Sequence, residues 1–156
     1  FLEALSGAMP GVPIFGALAC HQASAAPGQV IYSGESQQSA AAFLLLSGPV
    51  SPRFIITPTA PAEDGLSQDD VLQTAGAAMD SALAQPADAV FVCSCQARTL
   101  SLEADTCAEM EAVDAAVNGR VPYQMFYSAG ALCAVASANG EPENHINSAA
   151  LEVCAL

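Results

Sequence analysis

The sequence predicts an α/β chain of the α+β kind: a mostly antiparallel mixed sheet with two amphipathic helices packed on it. Three observations carry that prediction. Short apolar runs cut by turn residues fill the first third, two segments with helical spacing occupy the middle, and near-continuous apolar runs of strand length accompany them. At 156 residues the chain is a single domain or a fragment of a larger one, able to bury roughly two thirds of its extended surface.

Residues 1–57 read as a strand meander. Pro13 to Cys20, Gln29 to Ser33, Ala40 to Leu46 and Arg53 to Thr57 are the expected strands, separated by Ala25-Ala26-Pro27-Gly28, Ser33-Gly34-Glu35-Ser36 and Ser47-Gly48-Pro49. Residues 58–66, with Pro58, Pro61 and Gly65, form a connector. Residues 67–156 then read as helix, strand, helix and strands. Ser67-Gln68-Asp69-Asp70 fits a capping box, and Val71, Leu72, Ala75, Ala78, Met79, Ala82 and Leu83 follow at helical spacing until Pro86. Asp88 to Cys95 is apolar enough to lie buried on both faces of a sheet, so it is the expected central strand. Leu102 to Val117 predicts a second helix, with Leu102, Met110, Val113 and Val117 on the apolar stripe. Glu103, Asp105, Glu109, Glu111 and Asp114 fall off that stripe, and Glu109, Glu111 and Asp114 read as its solvated face. Pro122 to Ser128 is the next strand, Gly130 allows a bend into Ala131 to Val135, and Ile146 to Leu156 is expected to close the sheet beside Asp88 to Cys95.

Charge narrows the function classes. Three Lys+Arg stand against 16 Asp+Glu, a formal net charge of −13, so binding to nucleic acid or to an anionic lipid leaflet through phosphates is excluded. The acidity does not signal disorder, because 53% of the residues are hydrophobic and only 12% are charged. No membrane insertion is expected, since the longest apolar stretch, Ala40 to Leu46, is far short of the roughly 20 residues of a span. The start, Phe1-Leu2-Glu3-Ala4-Leu5, lacks the pattern of a signal peptide and reads as an excised or processed segment. Of the six cysteines, Cys93, Cys133 and Cys154 sit in apolar runs, which favours reduced thiols and a cytoplasmic location.

Four segments together carry a family resemblance. Met9-Pro10-Gly11-Val12-Pro13-Ile14-Phe15-Gly16-Ala17-Leu18-Ala19, the strand Ala89 to Cys95 with Gln96-Ala97-Arg98 after it, Val121-Pro122-Tyr123-Gln124-Met125-Phe126-Tyr127-Ser128-Ala129-Gly130, and Asn144-His145-Ile146-Asn147-Ser148 with Leu151 to Leu156 occur in that order. This arrangement resembles the end of the N-terminal part plus the C-terminal part of the FIST family of sensory domains, named for F-box and intracellular signal transduction proteins. Met125 stands where that family usually has Gly, Ala131 where Glu follows the last Gly, Ala17 where a second Gly occurs, and Ala149 or Ala150 where Thr is usual. The resemblance implies a cytoplasmic, non-enzymatic input domain that binds a small ligand such as an amino acid or related metabolite. It implies no cofactor, and as partners a fused or associated signalling output module. No F-box, kinase or cyclase motif is present in these residues, and homodimerisation is left open.

The expected ligand site gathers Arg98, Cys95, Tyr127, Ser128, Gly130 and Asn147 near the ends of the strands that close with Cys95, Ser128 and Asn147. Arg98 follows a buried strand, where a guanidinium can clamp a carboxylate through two hydrogen bonds or serve in a structural ion pair. Cys93 and Cys95 face one way and Ser94 the other. Zinc would need further ligands such as Cys20 and His21 without any C-x-x-C spacing, so no metal is expected. Tyr127 and Ser128 beside Gly130 line a pocket or, in the plainer reading, flank a core Phe126. Asn147 contacts ligand or satisfies a turn backbone. The segment Phe126 to Gly130 lacks the first Gly of G-x-S-x-G, so no hydrolase elbow is expected. Two rivals stay open: a cysteine-dependent enzyme using Cys95 or Cys20 with His21 or His145, and a ligand-free protein-docking domain.

Overall fold

The computed structural model describes residues 1–19, 28–38, 40–57, 66–102 and 104–156. Cys20, His21, the turn before Gly28, nearly all of the expected connector and Glu103 lie outside the described residues. An α+β fold is observed, with helices and strands in antiparallel and mixed sheets. The chain begins with α1 (Leu2–Ala8) and β1 (Gly16–Ala17), followed by the hairpin β2 (Gln29–Tyr32) and β3 (Glu35–Gln38). Ser33 and Gly34 both have positive φ, 52° and 80°, the requirement for a tight two-residue hairpin loop. Next come β4 (Arg53–Ile56), α2 (Gln68–Ala82), β5 (Val90–Cys95) and a 3₁₀ helix (Gln96–Leu102). The chain ends with α3 (Ala108–Val117), β6 (Tyr123–Ser128), β7 (Ala131–Ala136), β8 (Pro142–Asn147) and β9 (Leu151–Ala155).

Two sheets and a helical layer stack around β5. One sheet has the order β4-β9-β5-β6, with β5 antiparallel to β9 and parallel to β6. The other has the order β1-β7-β8, and its β7 contacts β4, β5 and β9. On the opposite face, α2 and α3 pack Ala75, Ala78, Met79, Val113 and Val117 against Val90, Val92, Leu151 and Val153. Alternation along β5 therefore sends Val90, Val92 and Ser94 to the helices and Phe91, Cys93 and Cys95 to the space between the sheets. The expected burial of this strand on both faces is observed, as is its pairing with the last strand.

The capping box of α2 forms as the sequence indicates: Ser67 Oγ accepts from the Asp70 N–H at 3.1 Å, and the Asp70 carboxylate accepts from the Ser67 N–H at 3.2 Å. At the other end, Arg53 donates from Nη2 to the carbonyls of Ala82, Gln85 and Pro86. Arg120 does the same for Ala116 and Val117 at the exit of α3, so two of the three cations complement helix C-termini.

Four expectations are corrected. The first third is no single meander: β1 pairs with β7, β2 only with β3, and β4 with β9, where Phe54 and Ile55 face Cys154 and Val153 across the ladder. Residues 40–46 form no strand and leave Phe43, Leu44 and Leu45 exposed, because β9 takes the place beside β4 that a local neighbour would fill. The helix expected from Leu102 divides at Asp105, whose N–H bonds to the Leu102 carbonyl and whose carbonyl accepts from Ala108, a turn chemistry that competes with helix. The final strand is two strands, broken at Ala149, which has φ 57°. Among the described residues no helix is long and apolar enough to cross a membrane.

Candidate functional site

The sheet divides the expected site residues between its two faces. On the helix face Arg98 is fully buried. Its Nε donates to Glu109 Oε1 at 2.7 Å, and its Nη2 donates to the Val71 carbonyl at 3.1 Å and to Thr74 Oγ1 at 3.0 Å. Ser94 Oγ donates to the other Glu109 oxygen at 2.8 Å. Glu109 is itself 0% exposed, which corrects the expectation of a solvated residue: it is four and eight residues before Val113 and Val117 and shares their inward face. Met110, expected on the stripe, is the exposed one. Tyr127 belongs to this group as well. Burial and a hydrogen bond to Glu109 push its hydroxyl well above the usual phenol range.

This face is therefore an internal ion pair with nearly complete hydrogen bonding. The two-bond clamp that Arg98 would offer a ligand carboxylate is engaged by Glu109, Val71 and Thr74, leaving only the buried Nη1 without a partner among the described residues.

Between the sheets lie the other four. Cys95 and Ser128 sit opposite each other on β5 and β6, and Gly130 and Asn147 bring in the second sheet. Ser128 Oγ donates to the Gly130 carbonyl at 2.8 Å and lies 3.1 Å from Cys93 Sγ. A Cβ placed on Gly130 would stand 3.3 Å from the Asn147 carbonyl oxygen and 3.4 Å from Leu18, so the backbone approach there leaves little room for a side chain. Leu18 covers this corner through two backbone bonds, Leu18 N–H to Gly130 and Ala129 N–H to Leu18.

One residue of this cluster escaped the sequence reading. Glu152, on β9 directly opposite Cys93, is 0% exposed. Asn147 Nδ2 donates to its Oε1 at 2.7 Å, while Oε2 finds no partner among the described residues. Burial pushes the carboxyl up to about 7 against the opposing effect of the Asn147 bond. The signal was present in the sequence: a lone acid inside the apolar run Leu151-Glu152-Val153-Cys154-Ala155.

The thiols around it are raised rather than activated. Cys93 and Cys154 are pushed up to about 11, chiefly by burial, and Cys133 is raised further by burial and by Glu152. That is opposite to the depressed value a nucleophilic thiol needs. His145 lies at the surface of β8, its Nε2 3.8 Å from Glu143, and the five described cysteines are all free. No group of three or more metal-ligating side chains occurs among the described residues.

Two clefts open elsewhere on the surface. One of about 410 Å³ lies between α1 and β8, and one of about 380 Å³ at the edge of the intersheet layer is lined by Phe54, Ile56, Ala134, Val135 and Ala136. Neither is lined by one of the expected site residues. Comparison with protein-family models, with curated proteins and with solved structures returns no match for this chain.

Proposed function

We propose that this chain is a non-catalytic sensory domain that binds a small polar ligand, such as an amino acid or related metabolite, at the intersheet corner formed by Cys95, Ser128, Gly130 and Asn147. One observation carries the reading. These four residues are drawn from three strands and a bend, and one of them, Asn147, donates to the buried Glu152 carboxyl, whose second oxygen has no partner among the described residues. A folded chain that isolates a polar atom from water normally supplies a partner, and a ligand is one way to supply it. In this reading Arg98 and Tyr127 act behind the sheet as positioning residues, fixing the end of β5 through Glu109 and Ser94. The signal passes to an output module fused to or associated with the domain, in the cytoplasm. A thermal-shift screen of the common amino acids and related small acids tests the proposal. A ligand held only by the folded state raises the melting temperature, and a flat response across the panel would end the reading.

A second reading, a docking domain that self-associates, has one observation in its favour: the exposed apolar run Phe43-Leu44-Leu45. Sedimentation equilibrium of the wild type and of a Leu44→Ser/Leu45→Ser variant separates the two. A dimer lost in the variant supports docking, and a monomer in both removes it.

A further inference from the structure

The cleft of about 380 Å³ lies one cross-strand step from the buried carboxyl of Glu152, which stands behind its lining. Ile56, which lines the cleft, is the direct ladder partner of Glu152, and such pairs hold their side chains within contact distance. Phe54, Ala134, Val135 and Ala136 complete a lining whose side chains are all apolar. The carboxyl itself is short of hydrogen bonds: Asn147 from β8 serves Oε1, and nothing among the described residues serves Oε2.

No base among the described residues answers that charge. The groups near it are the thiols of Cys93 from β5 and Cys133 from β7, with Cys154 on its own strand, and among the described residues the only ion pairs are Arg98 with Glu109 and His145 with Glu143. An isolated buried carboxylate is costly, and a cation carrying hydrogen-bond donors removes that cost by pairing with it.

We infer that Glu152 is the binding carboxylate for the ammonium group of a small primary amine whose apolar body occupies the cleft beside Phe54, Ile56 and Val135. The inference extends the ligand reading above by naming the group that is recognised and the chemistry of its tail. The proton balance is explicit. Below neutrality the carboxyl of the empty protein carries a proton; on binding it gives that proton to solvent, and the resulting carboxylate accepts hydrogen bonds from the ammonium, which keeps its own three protons. Binding therefore releases one proton below neutrality and strengthens as the pH rises through the range in which the empty carboxyl titrates.

The test uses isopentylamine as the probe and isopentanol as its neutral isostere, followed by calorimetry and thermal shift on the whole chain. Wild type is expected to bind the amine and not the alcohol, with affinity rising about fivefold or more between about pH 5.5 and 8.5, where the amine stays charged. Glu152→Gln keeps the shape of the side chain and removes its charge, and is expected to weaken amine binding about tenfold or more. Val135→Phe, on the same face of β7 as Cys133, fills the cleft while leaving the carboxyl intact, and is expected to weaken binding likewise; circular dichroism on both variants confirms the fold. Equal binding of alcohol and amine, undiminished binding by Glu152→Gln, or no binding of the amine by wild type would each overturn the inference. A flat amino-acid panel alongside amine binding would retire the amino-acid reading and leave this one standing. Amino-acid binding that persists in Glu152→Gln would do the reverse.

Discussion

The two faces of β5 treat a buried carboxylate in opposite ways. On the helix face, Glu109 has an arginine on one oxygen and a serine hydroxyl on the other, and the guanidinium is further tied to a carbonyl and a threonine. Between the sheets, Glu152 has one amide donor, a second oxygen without a partner among the described residues, and thiols for neighbours. Both side chains are equally hidden from water. Their difference is one of completion: the first carboxylate has internal partners on both oxygens and reads as structural, whereas the second lacks what desolvation normally demands. Burial alone would not have told them apart.

The comparison can be broken first on the helix face. Arg98→Ala strands Glu109 without a countercharge in an enclosed site, and urea unfolding should record a loss of about 3 to 5 kcal/mol. A loss under about 1 kcal/mol would mean that the ion pair contributes no more than an exposed one.

The next effect belongs to the other face and depends on pH. Glu152 has a folded value raised above its unfolded one, so its contribution is fully present below about pH 4.5, falls as the pH rises, and is lost above about 7. Unfolding free energies of Glu152→Gln measured against wild type across that window should therefore turn in favour of the variant by on the order of 2 kcal/mol as the pH rises. A difference that stays constant with pH would show that Glu152 is as well served as Glu109.

Ser94→Ala removes the donor to Glu109 Oε2 and leaves the carboxylate to Arg98 and Tyr127. A destabilisation of about 1.5 kcal/mol is expected in chemical unfolding, and no change would argue that Arg98 and Tyr127 suffice for this buried carboxylate. The smallest effect is at Ala149, whose positive φ sits between Asn147 and Glu152. Ala149→Gly should stabilise by about 0.5 kcal/mol through relief of the left-handed backbone, with amine binding retained. A loss of stability there would show that the turn is held by its side chain.

Local signals in the sequence specify the structure where local physics decides it. The capping box at Ser67 and Asp70, the doubly buried run ending at Cys95 and the opposed facing of Ser94 and Cys93 all follow from spacing alone, and the structure has each of them. The meander failed because pairing of β4 with β9 is a choice between distant segments, and residues 40–46 look as strand-like as the strand that displaced them. The buried site failed differently. Residue type places Glu109 in solvent, yet it shares a helix face with Val113 and Val117, and Glu152 interrupts an apolar strand. Both placements were visible as periodicity. The partner that neutralises one and not the other was not, since Arg98 reaches Glu109 only after the 3₁₀ turn redirects the chain.

The most direct test of this contrast is a carboxyl ¹³C NMR titration of glutamate-labelled protein, with Glu152 assigned by its absence in Glu152→Gln. A midpoint near 7 for Glu152 is the predicted result, moving downward when isopentylamine is bound. A midpoint in the ordinary glutamate range, unmoved by the amine, would contradict the account, because it would mean that the second oxygen already has its partner.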